Sequence, residues 1–294
     1  MSPILSIFLT SALSLSSFAA PTAPPAGVMS LTTADGELQW APGEEAVRVL
    51  NKQGGEERTI PLPRSGKHAP GGAVRAILPE RGEYFLAVED FREDFGLHLE
   101  EKAKAVKPKA VIVRSILRLL DLDGKIHWKH ETADRMAVGE AADAQSLRVS
   151  QKGSVAILLQ DIDPYTKKGG GRPVLTVIGP KGRTLMSLEY TAWTKVSEFA
   201  ISRDGRHLAV LGFGLVPAEG EMTHALGYYK TSGSPLWIQA VGKEPRRRLL
   251  QVVDVDGWTC CVETQPGLFS AFGHTGARRD ISPDQAWSEF GIKP

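Results

Sequence analysis

The 294-residue chain has only two cysteines, Cys260 and Cys261, and they are adjacent. Neighbouring thiols cannot staple distant parts of a chain, so stability must come from a packed core rather than a disulfide framework. An excess of one charge is also lacking, with 35 Lys and Arg against 34 Asp and Glu. That balance leaves no electrostatic footprint for a nucleic acid. The one sharp basic cluster, Arg246-Arg247-Arg248, precedes an apolar strand and reads as a solvated strand end. No apolar run reaches the ~20 residues of a spanning helix, so no membrane span is expected in the mature chain. Helical periodicity is nearly missing too. Its two exceptions are LHLEEKAKAV (97–106), a short surface helix at most, and the tail DQAWSEF (284–290).

Assembled catalytic and metal signatures are absent as well. The seven histidines, His68, His98, His127, His130, His207, His224 and His274, form no HExxH pair and have no ligand-spaced cysteine or carboxylate company. There is no GxSxG elbow for a hydrolase. GGGR at 169–172 has neither a following helix nor a Lys-Ser pair, so it reads as a flexible loop rather than a phosphate cradle. Asp121, Asp123 and Gly124 form DLDG, and Asp254, Asp256 and Gly257 form DVDG. Neither stretch supplies the remaining oxygen ligands of a calcium loop, whereas aspartate before glycine is ordinary turn chemistry. No metal site and no cofactor is predicted.

What is present begins with the amino terminus, MSPILSIFLTSALSLSSFAA. A short apolar run ends in small residues at Ser17 and Ala19, the layout of a cleavable secretory signal, with cleavage expected after Ala19. Its weakness is an n-region without Lys or Arg. Residues 1–19 are therefore expected as a signal peptide and 20–30, containing PTAPPAG, as a proline-rich linker. Residues 31–294 would form the mature domain, exported to a periplasm or secreted.

Across that domain two kinds of glycine-turned hairpin alternate. The first comprises AVRAILPERGEYFLAV, SLRVSQKGSVAILL, EFAISRDGRHLAVL and LLQVVDVDGWTCCV, turning at Gly82, Gly153, Gly205 and Gly257. The last three glycines are evenly spaced (205 − 153 = 257 − 205 = 52). The second comprises LRLLDLDGKIHW, LTVIGPKGRTLM, LGYYKTSGSPLW and FSAFGHTGARRD, turning at Gly124, Gly182, Gly233 and Gly276. Asp-Gly, Lys-Gly and Ser-Gly between β-branched or aromatic residues mark tight hairpins, and period-two alternation marks the strands. Four-stranded units of this length are the signature of propeller blades. The expected fold is all-β, a small β-propeller of about five four-stranded blades of which four are clear. A β-sandwich or an open β-repeat array is the alternative. Blade-like units fall at about 31–66, 73–132, 144–190, 196–241 and 247–282. In the first, LTTADGELQW carries Trp40 four residues past its glycine, as Trp128 and Trp237 stand past theirs. The last unit is shorter (276 − 257 = 19), which would suit completion by an N-terminal strand.

The hairpin FAISRDGRHLAV (199–210) resembles the inner hairpin of TolB-type propeller repeats. LDLDGKIHW (120–128) and YKTSGSPLW (229–237) resemble outer hairpins of pyrroloquinoline-quinone-type propellers, in which a tryptophan follows the turn. The resemblance spans about 73–282 and implies a fold, not an activity. Some quinone enzymes of that class carry a disulfide between adjacent cysteines at the cofactor. Here Cys260 takes the register place of Phe85, Ala156 and Leu208, and Cys261 that of Leu86, Ile157 and Ala209. Packing positions on the second strand are the reading that the register favours.

In such blades both hairpin turns lie at one end, and the longer connections lie at the other. The connections here include 91–110, 161–173 and 214–225. Long loops on a rigid scaffold are where binding residues concentrate. The candidate ligand-binding residues are Asp161, Asp163, Tyr165, Arg172, Glu221 and His224, a mixture suited to a polar ligand or a protein partner. No catalytic residue is assigned. The expectation is an exported, non-enzymatic binding or scaffold module, with a propeller-fold enzyme (quinone-dependent oxidoreductase or hydrolase) as the alternative.

Overall fold

The computed structural model describes residues 28–65, 73–79, 82–95, 109–132, 136–138, 146–161, 174–188, 193–242, 251–255, 258–265 and 267–290. The signal-like segment, the helix expected at 97–106, GGGR and the Arg246–Arg248 cluster lie outside these residues.

Among the described residues twenty-one strands form five antiparallel sheets, each built from consecutive strands in chain order, and one helix follows them. Blade 1 comprises β1 (Met29–Thr32), β2 (Gly36–Trp40), β3 (Ala46–Asn51) and β4 (Glu56–Pro61). Blade 2 comprises β5 (Ala73–Ile77), β6 (Tyr84–Phe95), β7 (Lys109–Asp121) and β8 (Ile126–Glu131). Blade 3 comprises β10 (Leu147–Val149), β11 (Val155–Asp161), β12 (Val174–Ile178) and β13 (Thr184–Leu188), and β9 (Met136–Val138) pairs with the end of β11. Blade 4 comprises β14 (Trp193–Ile201), β15 (His207–Val216), β16 (Glu221–Lys230) and β17 (Pro235–Ala240). Blade 5 comprises β18 (Gln251–Val255), β19 (Trp258–Gln265), β20 (Leu268–Gly273) and β21 (Arg278–Ile281), followed by α1 (Pro283–Phe290). The fold is all-β and propeller-like, with five blades.

Period-two alternation gives each inner strand two apolar faces, and the blades stack through them. Leu31, Leu38, Val47 and Ile60 of blade 1 pack on Phe85, Ala87 and Leu120 of blade 2. The opposite face of blade 2, with Leu86, Val88, Leu117 and Leu119, meets Leu147, Val155 and Ile157 of blade 3. Blades 3 and 4 share a cluster around Val177, Phe199, Leu208 and Tyr229, in which the Trp193 indole Nε1 donates to the Tyr229 hydroxyl at 2.8 Å. Blades 4 and 5 meet at Leu211, Leu226, Cys260 and Phe272. A stack of rings runs along this last seam, Tyr228 to Trp237 at 5.5 Å and Trp237 to Phe272 at 5.6 Å between centroids. His207 stacks on Tyr228 at 5.3 Å and is half-buried.

The outer hairpins show why tryptophan and glycine recur together. A β-carbon placed on Gly182 of blade 3 would lie 2.7 Å from the Trp128 β-carbon of blade 2. One placed on Gly276 of blade 5 would lie 3.3 Å from the Trp237 ring of blade 4. Each tryptophan of one blade therefore seats the outer turn of the next, and that turn must lack a side chain. Trp40 does not belong to this set. It stands on β2, the second strand of its blade, where its Nε1 donates to the Glu44 carbonyl at 2.9 Å. Ile60 on β4 takes the outer place instead, beneath Gly124. Spacing from glycine alone does not tell a first hairpin from a second.

The last blade is completed by its own four strands rather than by a strand from the amino terminus. Its shortness comes from the connection between β19 and β20, which is only a tight turn after Gln265. The outer face of blade 5, formed by Cys261, Phe269, Ala271 and Ile281, is covered by Ala286 and Phe290 of α1. The outer face of blade 1 is mostly polar, bearing Ser30, Glu37, Gln39 and Arg48 around a half-buried Leu50. Among the described residues no apolar cluster joins the first blade to the last.

Candidate functional site

Strand order places the tight turns at one end of every blade and the connections between hairpins at the other. The connection end is richer in strand than its sequence suggests. Residues 214–225, read as a loop, are the ends of β15 and β16 joined by a four-residue turn, with Leu215 paired to Met222 and Val216 to Glu221. In blade 2 the pairing of β6 with β7 likewise continues to Phe95 and Lys109. Blades 2 and 4 thus send long hairpins beyond their outer strands.

Of the six candidate residues, three fall within the described chain. Asp161 ends β11 and pairs with Met136 of β9. Glu221 begins β16 and is exposed; His224 follows on the same strand, half-buried, edge-on to Phe213 at 5.4 Å. The regular register of β15 and β16 puts Glu221 and His224 on opposite faces of their strand. Asp163, Tyr165 and Arg172 lie outside the described residues.

Two buried ion pairs at the connection end of blade 2 escaped sequence reading. Glu89 and Arg118, on one face, are joined at 2.9 Å with side chains 2 % and 6 % exposed. This pair is fully furnished with hydrogen bonds. Ser65 donates to Glu89 through its hydroxyl at 2.6 Å and its amide at 3.0 Å, while Arg118 also donates to the Pro63 carbonyl at 3.1 Å. It locks the exit of blade 1 onto blade 2. Burial alone would raise the Glu89 pKa, but the Ser65 hydrogen bonds and Arg118 outweigh it and hold the carboxyl below its ordinary value.

The second pair lies on the other face, toward blade 3. Arg75 Nε donates to Asp90 Oδ2 at 2.9 Å, with side chains 8 % and 1 % exposed. Ser115 Oγ donates to the other Asp90 oxygen at 2.7 Å, and Ser115 and Thr132 are tied by reciprocal bonds of 2.9 and 3.0 Å. Here the inventory does not close. Arg75 Nη1 and Nη2 are buried and have no hydrogen-bond partner. Each such orphan costs about 1–3 kcal/mol. The repeat supplies the one sequence signal that bears on this place: Asp90 and Asp161 both stand eight residues past their hairpin glycine (90 − 82 = 161 − 153 = 8).

The cysteines do not belong to any such cluster. Both are free and buried, Cys260 toward blade 4 and Cys261 beneath α1. Burial pushes the Cys260 thiol far up, and that of Cys261 up to about 12, where the nearby Glu289 adds to the effect. Neither is a nucleophile at neutral pH. Asp121 of DLDG accepts the Asp123 and Lys125 amides at 3.0 and 2.9 Å, as a turn aspartate does. Among the described residues no three His, Cys, Asp or Glu side chains group as metal ligands, and no helix is long and apolar enough to cross a membrane.

No family model and no curated protein matches the chain. Solved structures do resemble it. A protein of unknown function from Bacteroides caccae is 11 % identical over 84 % of this chain and 73 % of its own, with a TM-score of 0.38. AztD from Citrobacter koseri, in its apo form, is 12 % identical over 86 % and 71 %, TM-score 0.38. BBS1N, solved in complex with ARL6DN, is 8 % identical over 87 % and 66 %, TM-score 0.41. At such identities and scores the likeness says nothing of what this chain binds.

Proposed function

We propose that the protein is an exported, non-enzymatic binding module that docks a polar ligand or protein partner at its connection end. One observation carries this reading: the hairpin of β15 and β16 reaches past its neighbours and presents Leu215 and Met222, 37 % and 39 % exposed, on one face, with the exposed Glu219 in its turn and the exposed Glu221 on the other face. The opposite end has short turns that the blades themselves occupy, as Gly182 occupies the Trp128 surface. Apolar side chains rimmed by charge on a rigid support are the composition of a contact surface.

A photo-crosslinking amino acid at Glu221 tests the reading against the same group at Asp123, on the turn end. Cross-linked partner is expected from Glu221 and not from Asp123; equal labelling, or none from Glu221, defeats it. Export has its own measurement. The mature protein recovered from the producing cell should begin at Ala20.

A further inference from the structure

We propose that Arg75 anchors a binding site for a small carboxylate ligand at the connection end of the seam between blades 2 and 3. Arg75 shares its strand face with Ile77, which packs in the core between those blades. The strand opens to solvent two residues earlier, at the exposed Ala73. The guanidinium is fixed from one side only. Its Nε is held at 2.9 Å by Asp90, which Ser115 holds in turn at 2.7 Å. Nη1 and Nη2 are buried and have no hydrogen-bond partner.

The contrast with Arg118 makes this a site rather than an accident of packing. That residue stands in the same sheet and pairs with a neighbouring carboxylate, yet its Nη groups reach Pro63 O at 3.1 Å, Ser65 Oγ at 2.5 Å and Glu89 at 2.9 Å. Arg75 instead keeps a rigid two-pronged donor, the geometry that matches both oxygens of a carboxylate. Asp90 already neutralises its charge, so the fork suits a singly charged group better than a phosphate dianion. The chemistry is shared by a free organic acid and by the carboxylate of a peptide terminus, and the buried setting favours the free acid.

The test is a titration of the full-length protein, with 15N-labelled arginine side chains, by sodium acetate, by phosphate and by a short peptide with a free C-terminus. Arg75→Lys retains the bond to Asp90 and identifies the Arg75 signals by their loss. Acetate is expected to shift the Arg75 Nη resonances saturably, and phosphate and peptide to do so at least about tenfold more weakly. In the lysine variant, acetate's protection against thermal unfolding should fall by a similar factor. Unchanged Arg75 resonances, equal protection by acetate in both proteins, or a crystal grown in acetate with only water on the fork would each overturn the proposal. Tighter binding of phosphate would overturn the carboxylate assignment, and tighter binding of peptide the free-acid one. Should the lysine variant not fold, the wild-type resonances and that crystal decide alone.

Discussion

At the scale of single residues, blade contacts turn on what a position must lack or must neutralise. Gly182 has φ +75° and would put a β-carbon 2.7 Å from that of Trp128, whereas Gly54 has φ +80° and nothing within 4 Å. Gly54→Ala should therefore cost only the left-handed backbone, about 1 kcal/mol. Gly182→Ala adds overpacking and should cost about 2–4 kcal/mol, read as the difference in urea midpoints. Equal costs would mean that the tryptophan does not seat the turn. Glu89 gives a pH dependence whose sign is fixed. Its folded pKa lies below the ordinary 4.5, so its stabilisation is present above that value and fades as pH falls through the folded one. Glu89→Gln should lose about 3 kcal/mol at pH 7 and show a shallower stability loss below pH 4.5. Parallel pH curves would refute the assignment. Gly182 was legible in sequence because its hairpin announces it. The ion pairs were not, since Glu89 meets Arg118 and Asp90 meets Arg75 only through strand pairing within blade 2, and Ser65 joins the first pair only once blade 1 is stacked on that blade.

Elements show the same division. Hairpin order, strand alternation and the C-terminal helix could be read from local pattern, and the register correctly assigned both cysteines to buried strand positions. The extent of β15 and β16 could not. A stretch such as GLVPAEGEMTHA has turn residues at its centre, and only cross-strand pairing shows how far the strands continue toward them. The helix α1 has a role that its sequence does not announce, since it is the lid on Cys261 and Phe269. Ending the chain after Ser282 should expose that face. Native protein should react with neither thiol on the minute scale, while the shortened chain should react at Cys261 and spare Cys260, which faces blade 4. Ellman's reagent with peptide mapping reads this directly. Reaction at both thiols would show that the truncation unfolds the blade rather than uncovering it.

For the whole molecule, the blades form a line of nearest-neighbour contacts, and such lines lose structure first where a unit has one neighbour. Blades 2, 3 and 4 are packed on both faces, and blade 5 has blade 4 on one side and α1 on the other. Among the described residues blade 1 shares an apolar cluster with blade 2 and not with blade 5, and its other face carries Glu37, Gln39 and Arg48 around a half-buried Leu50. A ring closed through that face would rest on polar contacts, which add little when exposed. Beyond its apolar face, blade 1 is held to blade 2 by the buried Ser65–Glu89–Arg118 lock and by the exposed Arg58, which donates to the Leu122 carbonyl and to Asp123. Amides of β1 to β4 should thus exchange through a partial opening, at lower free energy than those of β6, β11 and β15. Breaking the lock with Glu89→Gln should speed exchange in blade 1 and leave the β15 and β16 amides slow. Native-state hydrogen exchange by mass spectrometry resolves the two regions. Uniform protection in the wild type, with uniform acceleration in the variant, would show instead that the five blades open as one unit and that blade 1 is held by more than blade 2.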